Sequence, residues 1–283
     1  MKVRNIMKIL KSQPAIEGAG VRLNRVFGNR EVPLLDPFLL LDHFGSENPD
    51  DYLAGFPWHP HRGIETVTYM LRGTVEHGDS LGNSGTIGSG DVQWMTAGCG
   101  IIHQEMPQRF EGRTCGFQLW VNLPASQKMI DPRYRDIQAG QIPTVTVKKN
   151  VNIKIICGEV NGVIGPVRDL VVDVTYLDVT LAADTNFEHP VKKGHKVFAY
   201  VIEGNGYFDP KKNALINEGH LVIYQGGDCI KITTTDSSAR FLLVSGQPIN
   251  EPVAWQGPIV MNTQEELETA FAEYRNGTFI KQA

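Results

Sequence analysis

The sequence has little cysteine: four residues in 283, Cys99, Cys115, Cys157 and Cys229, with no CxxC among them. That excludes a disulfide-stapled scaffold and fits a reducing compartment, so a cytoplasmic protein is expected. It also removes the usual thiolate sets of structural zinc sites. An excess of positive charge is missing too. Lys and Arg total 27 against 31 Asp and Glu, a net of −4. A dense phosphate-contacting surface is therefore not expected, and neither is direct nucleic-acid binding. No run of 18 apolar residues occurs, so no membrane span is predicted. Met1-Lys2-Val3-Arg4-Asn5-Ile6-Met7-Lys8 interleaves charges with apolar residues, and no apolar stretch of signal-peptide type follows.

What is abundant is turn chemistry. The chain has 29 Gly and 16 Pro, with 41% hydrophobic and 20% charged residues. This is a globular composition that favours short strands over long helices. The punctuation occurs twice. Glu65-Thr66-Val67-Thr68-Tyr69-Met70-Leu71 runs into Arg72-Gly73, and after a glycine-rich stretch Gly90-Asp91 precedes Val92-Gln93-Trp94-Met95. Val197-Phe198-Ala199-Tyr200-Val201-Ile202 runs into Glu203-Gly204, and Gly219-His220 precedes Leu221-Val222-Ile223-Tyr224. Strand, glycine turn, strand is the rhythm of an antiparallel barrel or jelly roll, and its recurrence predicts an internal duplication. The boundary is placed near Ala139-Gly140-Gln141-Ile142-Pro143, dividing the chain into 1–140 and 141–283. A short helix is expected between Pro124 and Pro132. Thr263-Gln264-Glu265-Glu266 reads as a capping box opening a helix, with Leu267, Ala270, Phe271 and Tyr274 at helical spacing and Gly277 as its stop.

Two motifs have metal-ligand spacing. His59-Pro60-His61 places two imidazoles at i and i+2, on one face if the segment is a strand. His103-Gln104-Glu105 repeats the spacing with a carboxylate. On neighbouring strands the two pairs would form a cluster of three histidines and one carboxylate. Such a set suits Fe, Mn, Ni, Cu or Zn rather than Ca or Mg. Glu65 shares the parity of His61 if the strand runs unbroken. The second half offers an internal control. Aligned on the Gly73 and Gly204 turns, His59 and His61 fall on Pro190 and Lys192. Aligned on Gly90 and Gly219, His103 and Glu105 fall on Ile232 and Thr234. A metal-free second barrel is expected. Trp94, Met95, Phe117 and Trp120 are expected in the core, with pocket lining as the alternative. Cys99 is expected to be a buried thiol rather than a redox sensor. His43, His77, His189, His195 and His220 are left to surface or hydrogen-bonding roles.

These residues sit in longer motifs. Asp36-Pro37-Phe38-Leu39-Leu40-Leu41-Asp42, Phe56-Pro57-Trp58-His59-Pro60-His61-Arg62-Gly63-Ile64-Glu65-Thr66-Val67 and Gly90-Asp91-Val92-Gln93-Trp94-Met95-Thr96-Ala97-Gly98 resemble the pirin family. So do Gly100-Ile101-Ile102-His103-Gln104-Glu105-Met106-Pro107, Leu119-Trp120-Val121-Asn122-Leu123-Pro124 and Gly257-Pro258-Ile259-Val260-Met261-Asn262-Thr263. The resemblance implies an all-β bicupin: two cupin-type antiparallel barrels in tandem, with a C-terminal α-helix. It implies one metal, Fe(II) first with Mn, Ni, Cu and Zn as competitors, held by His59, His61, His103 and Glu105. Glu65, a ligand position in the wider cupin pattern, is then expected to orient a histidine N–H instead. The implied activity is of the quercetin 2,3-dioxygenase type, with a flavonol and O₂ as substrates and Glu105 as both ligand and catalytic base. The alternative the family offers is a non-catalytic, metal- or redox-dependent regulator that binds a partner protein. A monomer is expected.

Overall fold

The computed structural model describes residues 1–147 and 149–281. Each strand-like run of the sequence becomes a strand. The pairs are Ile64–Arg72 with Val92–Thr96 in the first half, and Lys196–Tyr207 with His220–Gln225 in the second. The protein is all-β, with the anticipated C-terminal helix. Between Pro124 and Pro132 the helical segment is a single 3₁₀ turn, Ala125–Gln127. Among the described residues no helix is long and apolar enough to cross a membrane.

The chain forms two compact units, and they are not the two sequential halves. One comprises Met1–Gln13, Arg30–Pro37 and Gly140–Pro248; the other comprises Pro14–Asn29, Phe38–Ala139 and Ile249–Ala283. Relative to a cut at residue 140, three segments are exchanged: Met1–Gln13, Arg30–Pro37 and Ile249–Ala283. The strand Asn5–Lys11 pairs antiparallel with His220–Gln225 and covers an edge of the second-half barrel. An uncovered edge is a row of unpaired N–H and C=O groups, so this pairing satisfies them. The C-terminal helix belongs with the first-half barrel instead of the second. The reason is local packing: Leu267 and Ala270 of the helix pack with Ile259, Met261 and Phe279, and Ile102 of the first-half barrel joins that cluster.

The second-half barrel is filled by apolar side chains. Val179, Val201, Phe208, Ile232 and Phe241 belong to one buried cluster, and Ile232 is the position that matches His103. The first-half barrel is built from two sheets. In the larger, the order is Arg133–Ile137, Val92–Thr96, Ile64–Arg72, Thr114–Asn122, Phe38–Ser46, Val21–Phe27 and Gln13–Glu17. In the smaller, it is Phe56–His61, Ile101–Pro107, Val75–Asp79 and Ser84–Ile87. The helix Gln264–Arg275 starts at the predicted capping box, with Thr263 and Glu266 bonding reciprocally, and its C-cap is Asn276, one residue before Gly277.

Candidate metal centre

The strands Phe56–His61 and Ile101–Pro107 are antiparallel neighbours, and their register puts His103 directly opposite His59. His59 and His61 are two apart on one strand, so their side chains share a face. Three imidazoles meet there. Ring centroids are 4.8 Å apart for His59 and His61, 4.4 Å for His59 and His103, and 5.1 Å for His61 and His103. One nitrogen from each lies within 4.8 Å of the others.

The outer nitrogens of two rings are tied to backbone. His59 Nδ1 donates to the carbonyl of Pro57 at 2.8 Å, and His61 Nδ1 to that of Pro258 at 3.1 Å. A carbonyl only accepts, so each Nδ1 holds the hydrogen and each neutral ring keeps a bare Nε2. Those two Nε2 atoms face each other at 3.0 Å. Neither nitrogen of the buried His103 has a hydrogen-bond partner. Burial, followed by the neighbouring imidazoles, pushes the pKa of His61 and of His103 well below the ordinary histidine value. Neutral imidazoles with inward lone pairs and an orphaned third ring form a donor set that a metal cation satisfies. His59, His61 and His103 could hold a metal ion.

Glu105 lies two residues along the strand from His103, past a register shift against Phe56–His61. Its carboxylate is buried and accepts from Thr68 Oγ1 at 2.9 Å and Gln118 Nε2 at 3.1 Å. It does not join the group of mutually close donor atoms. His77, directly across the next strand from Glu105, bonds through Nε2 to Gln93 at 2.9 Å.

Glu65 departs from expectation. Arg62-Gly63 breaks the strand, and Gly63 takes φ +77°, so the parity with His61 is lost. On Ile64–Arg72 it is Thr68 that faces Glu105, and Glu65 is of the opposite parity. Glu65 accepts from Trp94 Nε1 at 2.9 Å and Thr96 Oγ1 at 2.6 Å, while backbone carbonyls orient the histidines. Trp94, Met95 and Phe117 are core residues. Trp120 takes the lining role, its ring edge-on to His61 at 5.1 Å. Cys99 is buried, and burial pushes its thiol up, away from the thiolate.

The segment after 249 was silent in the sequence as a site element, yet it supplies the Pro258 carbonyl. Arg62 anchors it. This buried side chain donates from Nε to the Cys99 carbonyl, pairs with Glu273 at 2.7 Å and donates to the Phe279 carbonyl at 2.9 Å. Its guanidinium also lies 4.2 Å above the Phe279 ring. Thr68 and Gln118 were missed as well. Each is one polar residue among several in its strand, so the sequence does not single it out.

His59 and His61 open into a cavity of about 620 Å³. Its walls include Phe44, Phe56, Trp120 and Trp255, and its polar groups include Glu105, Gln118, Asp42 and Arg25. The size is that of a small-molecule site. The sequence pattern of the Pirin family matches residues 20–121, and that of the Pirin C-terminal cupin domain matches residues 176–280. The chain belongs to the pirin family. This pirin is 45% identical to a pirin-like protein of Caulobacter vibrioides over 280 residues, 99% of this chain and all of that one. It is 42% identical over 280 residues to a Pseudomonas aeruginosa protein named provisionally as a quercetin 2,3-dioxygenase, covering 98% of each. Among solved structures it resembles a quercetin 2,3-dioxygenase from Acinetobacter baumannii, with a TM-score of 0.91 at 31% identity over 98% of each chain. A bacterial pirin from Escherichia coli in complex with nickel(II) shares the fold at a TM-score of 0.64 and 22% identity, over 85% of this pirin and 99% of that chain.

Proposed function

We propose that this pirin is an iron-dependent dioxygenase of the quercetin 2,3-dioxygenase type, acting on flavonols with O₂. The observation that carries the reading is the convergence of His59, His61 and His103, with inward lone pairs, at a roomy aromatic cavity that also holds one buried carboxylate. The names of a relative 42% identical and of a structure 31% identical support it.

In this reading the three histidines and Glu105 hold the ion. When bound, it supplies Lewis acidity and electronic coupling between an enol and O₂. The chain does the rest. The Pro57 and Pro258 carbonyls fix the imidazole tautomers. Thr68 and Gln118 orient Glu105, whose carboxylate has about four acceptor sites and keeps capacity for a proton. Glu105 takes the proton of the flavonol 3-hydroxyl. Trp120 and Phe44 offer aromatic faces to a planar substrate and exclude water around it.

The test is anaerobic reconstitution with Fe(II), followed by oxygen uptake and product analysis with quercetin, beside the His59→Ala/His103→Ala double variant. Metal-dependent uptake with carbon monoxide release, absent from the double variant, is the expected result. Stoichiometric metal without turnover would turn the assignment to a metal-dependent regulator and its protein partner. Glu105→Gln should lower turnover by 10²-fold or more, about the worth of a general base. Full turnover with metal retained would remove Glu105 from that role.

A further inference from the structure

A row of polar side chains crosses the large sheet of the metal-site barrel. Gln118 is the cross-strand partner of Thr68 on one side and of Asp42 on the other, and Asp42 is the partner of Arg25. All four line the cavity, as do Glu105 at one end of the row and Glu17 at the other. The row starts where Thr68 and Gln118 bond Glu105. It finishes in a closed ion-pair set: Arg25 binds Asp42 through two bonds of 2.8 Å and Glu17 at 2.9 Å. Asp42 is buried and Glu17 is only half-buried, so the set leads outward from the deeper part of the cavity.

The histidines apart, most of the remaining lining is apolar, and such a set has a cost there that ordinary packing would avoid. Its charge is also specific. Arg25 is the one Lys or Arg among the described residues lining the cavity, and two carboxylates already neutralise it. What reaches the cavity is carboxylate acceptor capacity, not available cation. Asp42 lies two strands from Thr68, about 10 Å at ordinary strand spacing. A flavonol gripped at its enol oxygen and at a pendant-ring hydroxyl, with a hydrogen bond of about 2.8 Å at each end, spans roughly that distance. Phe44 and Trp120, one step along the same faces from Asp42 and Gln118, flank the line on which such a ring would lie.

We infer that the Asp42–Arg25 pair is a specificity-determining subsite that accepts hydrogen bonds from the pendant-ring hydroxyls of an uncharged polyphenol and rejects substrates carrying an anionic group there. Resting on the dioxygenase reading, this names which flavonols the site takes. Arg25 holds the Asp42 carboxylate in place, Asp42 accepts from the hydroxyl, and Glu17 keeps Arg25 from attracting a carboxylate.

The test is anaerobic isothermal titration calorimetry on the Fe(II)-loaded protein with three ligands. They are quercetin, a flavonol without pendant-ring hydroxyls, and a flavonol with a carboxylate in their place. A hydrogen bond to a charged group predicts that the wild type prefers quercetin over the unhydroxylated flavonol by about tenfold. Asp42→Asn, with unchanged metal content, should cut that preference below about threefold. Glu17→Gln should raise affinity for the carboxylated flavonol severalfold. Should Asp42→Asn fail to fold, the wild-type ligand series and Glu17→Gln decide alone. Equal wild-type affinity for quercetin and the unhydroxylated flavonol overturns the subsite and leaves the dioxygenase reading standing, as does a preference that survives in Asp42→Asn. Binding of no flavonol at all overturns both.

Discussion

Lys128 shows what a single side chain can cost inside this barrel. Its ammonium is buried, donates to the Gly63 carbonyl at 2.8 Å and to Asn122 Oδ1 at 2.6 Å, and burial lowers its pKa from 10.5 to about 7. The nearby Glu251 and Glu266 oppose that shift without cancelling it. Between pH 7 and about 10.4 the unfolded chain keeps a proton on this lysine that the folded protein has released. Stability contributed at this position therefore rises with pH across that window and is absent below it. Denaturant unfolding of wild type and Lys128→Met at pH 7 and pH 10 should show the difference moving toward wild type, by on the order of 4 kcal/mol. Parallel pH profiles would mean that the amine is neutral-tolerant and its titration plays no part. The imidazoles obey the same logic from the other side. His61 and His103, kept neutral by burial, are already in the form that a metal would ligate, so binding would not have to displace protons from them at neutral pH.

The strand carrying His59 and His61 ends at a turn that tolerates nothing but glycine. Gly63 has φ +77°, and a Cβ there would run into the Val260 carbonyl of the returning C-terminal segment, with Lys128 Nζ close behind. Gly112 is also left-handed, at φ +97°, but a Cβ there meets open space. Gly112→Ala should cost about 1 kcal/mol from conformation alone. Gly63→Ala should cost several times that and reduce bound metal, read by denaturation and elemental analysis together. Similar losses at both sites would assign the effect to φ and not to the packed turn. This turn is also where the sequence misled. Period-2 counting from His61 to Glu65 assumes one strand, and the left-handed glycine splits it in two. Local signals were otherwise legible: the apolar runs became strands and Thr263 with Glu266 capped the helix, because each rests on neighbouring residues. The HxH and HxE pairs were legible for the same reason. The row from Thr68 to Arg25 was not, since it exists only through the registers of four strands that lie far apart in sequence.

For the molecule entire, the exchanged segments decide what can stand alone. The family patterns and the duplicated punctuation suggest two separable halves, but the metal-site unit includes Ile249–Ala283 and lacks Met1–Gln13. A fragment of residues 1–140 would have His59, His61, His103 and Glu105 without the Pro258 carbonyl, the Arg62–Glu273 ion pair or the helix. It should bind metal far more weakly than the full chain and expose apolar surface, as measured by metal analysis and dye binding. Adding residues 249–281 in trans should recover part of the binding. Full metal occupancy in the 1–140 fragment would show that the C-terminal segment is dispensable. The same arrangement sets an order of events in the cell. The ribosome makes the four candidate ligands first, then the 109 residues of Gly140–Pro248, and only afterwards the segment that fixes His61. At ordinary elongation rates that interval is on the order of ten seconds. The carbonyl that fixes His61 thus reaches the candidate centre only after the second barrel has been synthesised, so the set of three oriented imidazoles is finished by the last stretch of chain to be made.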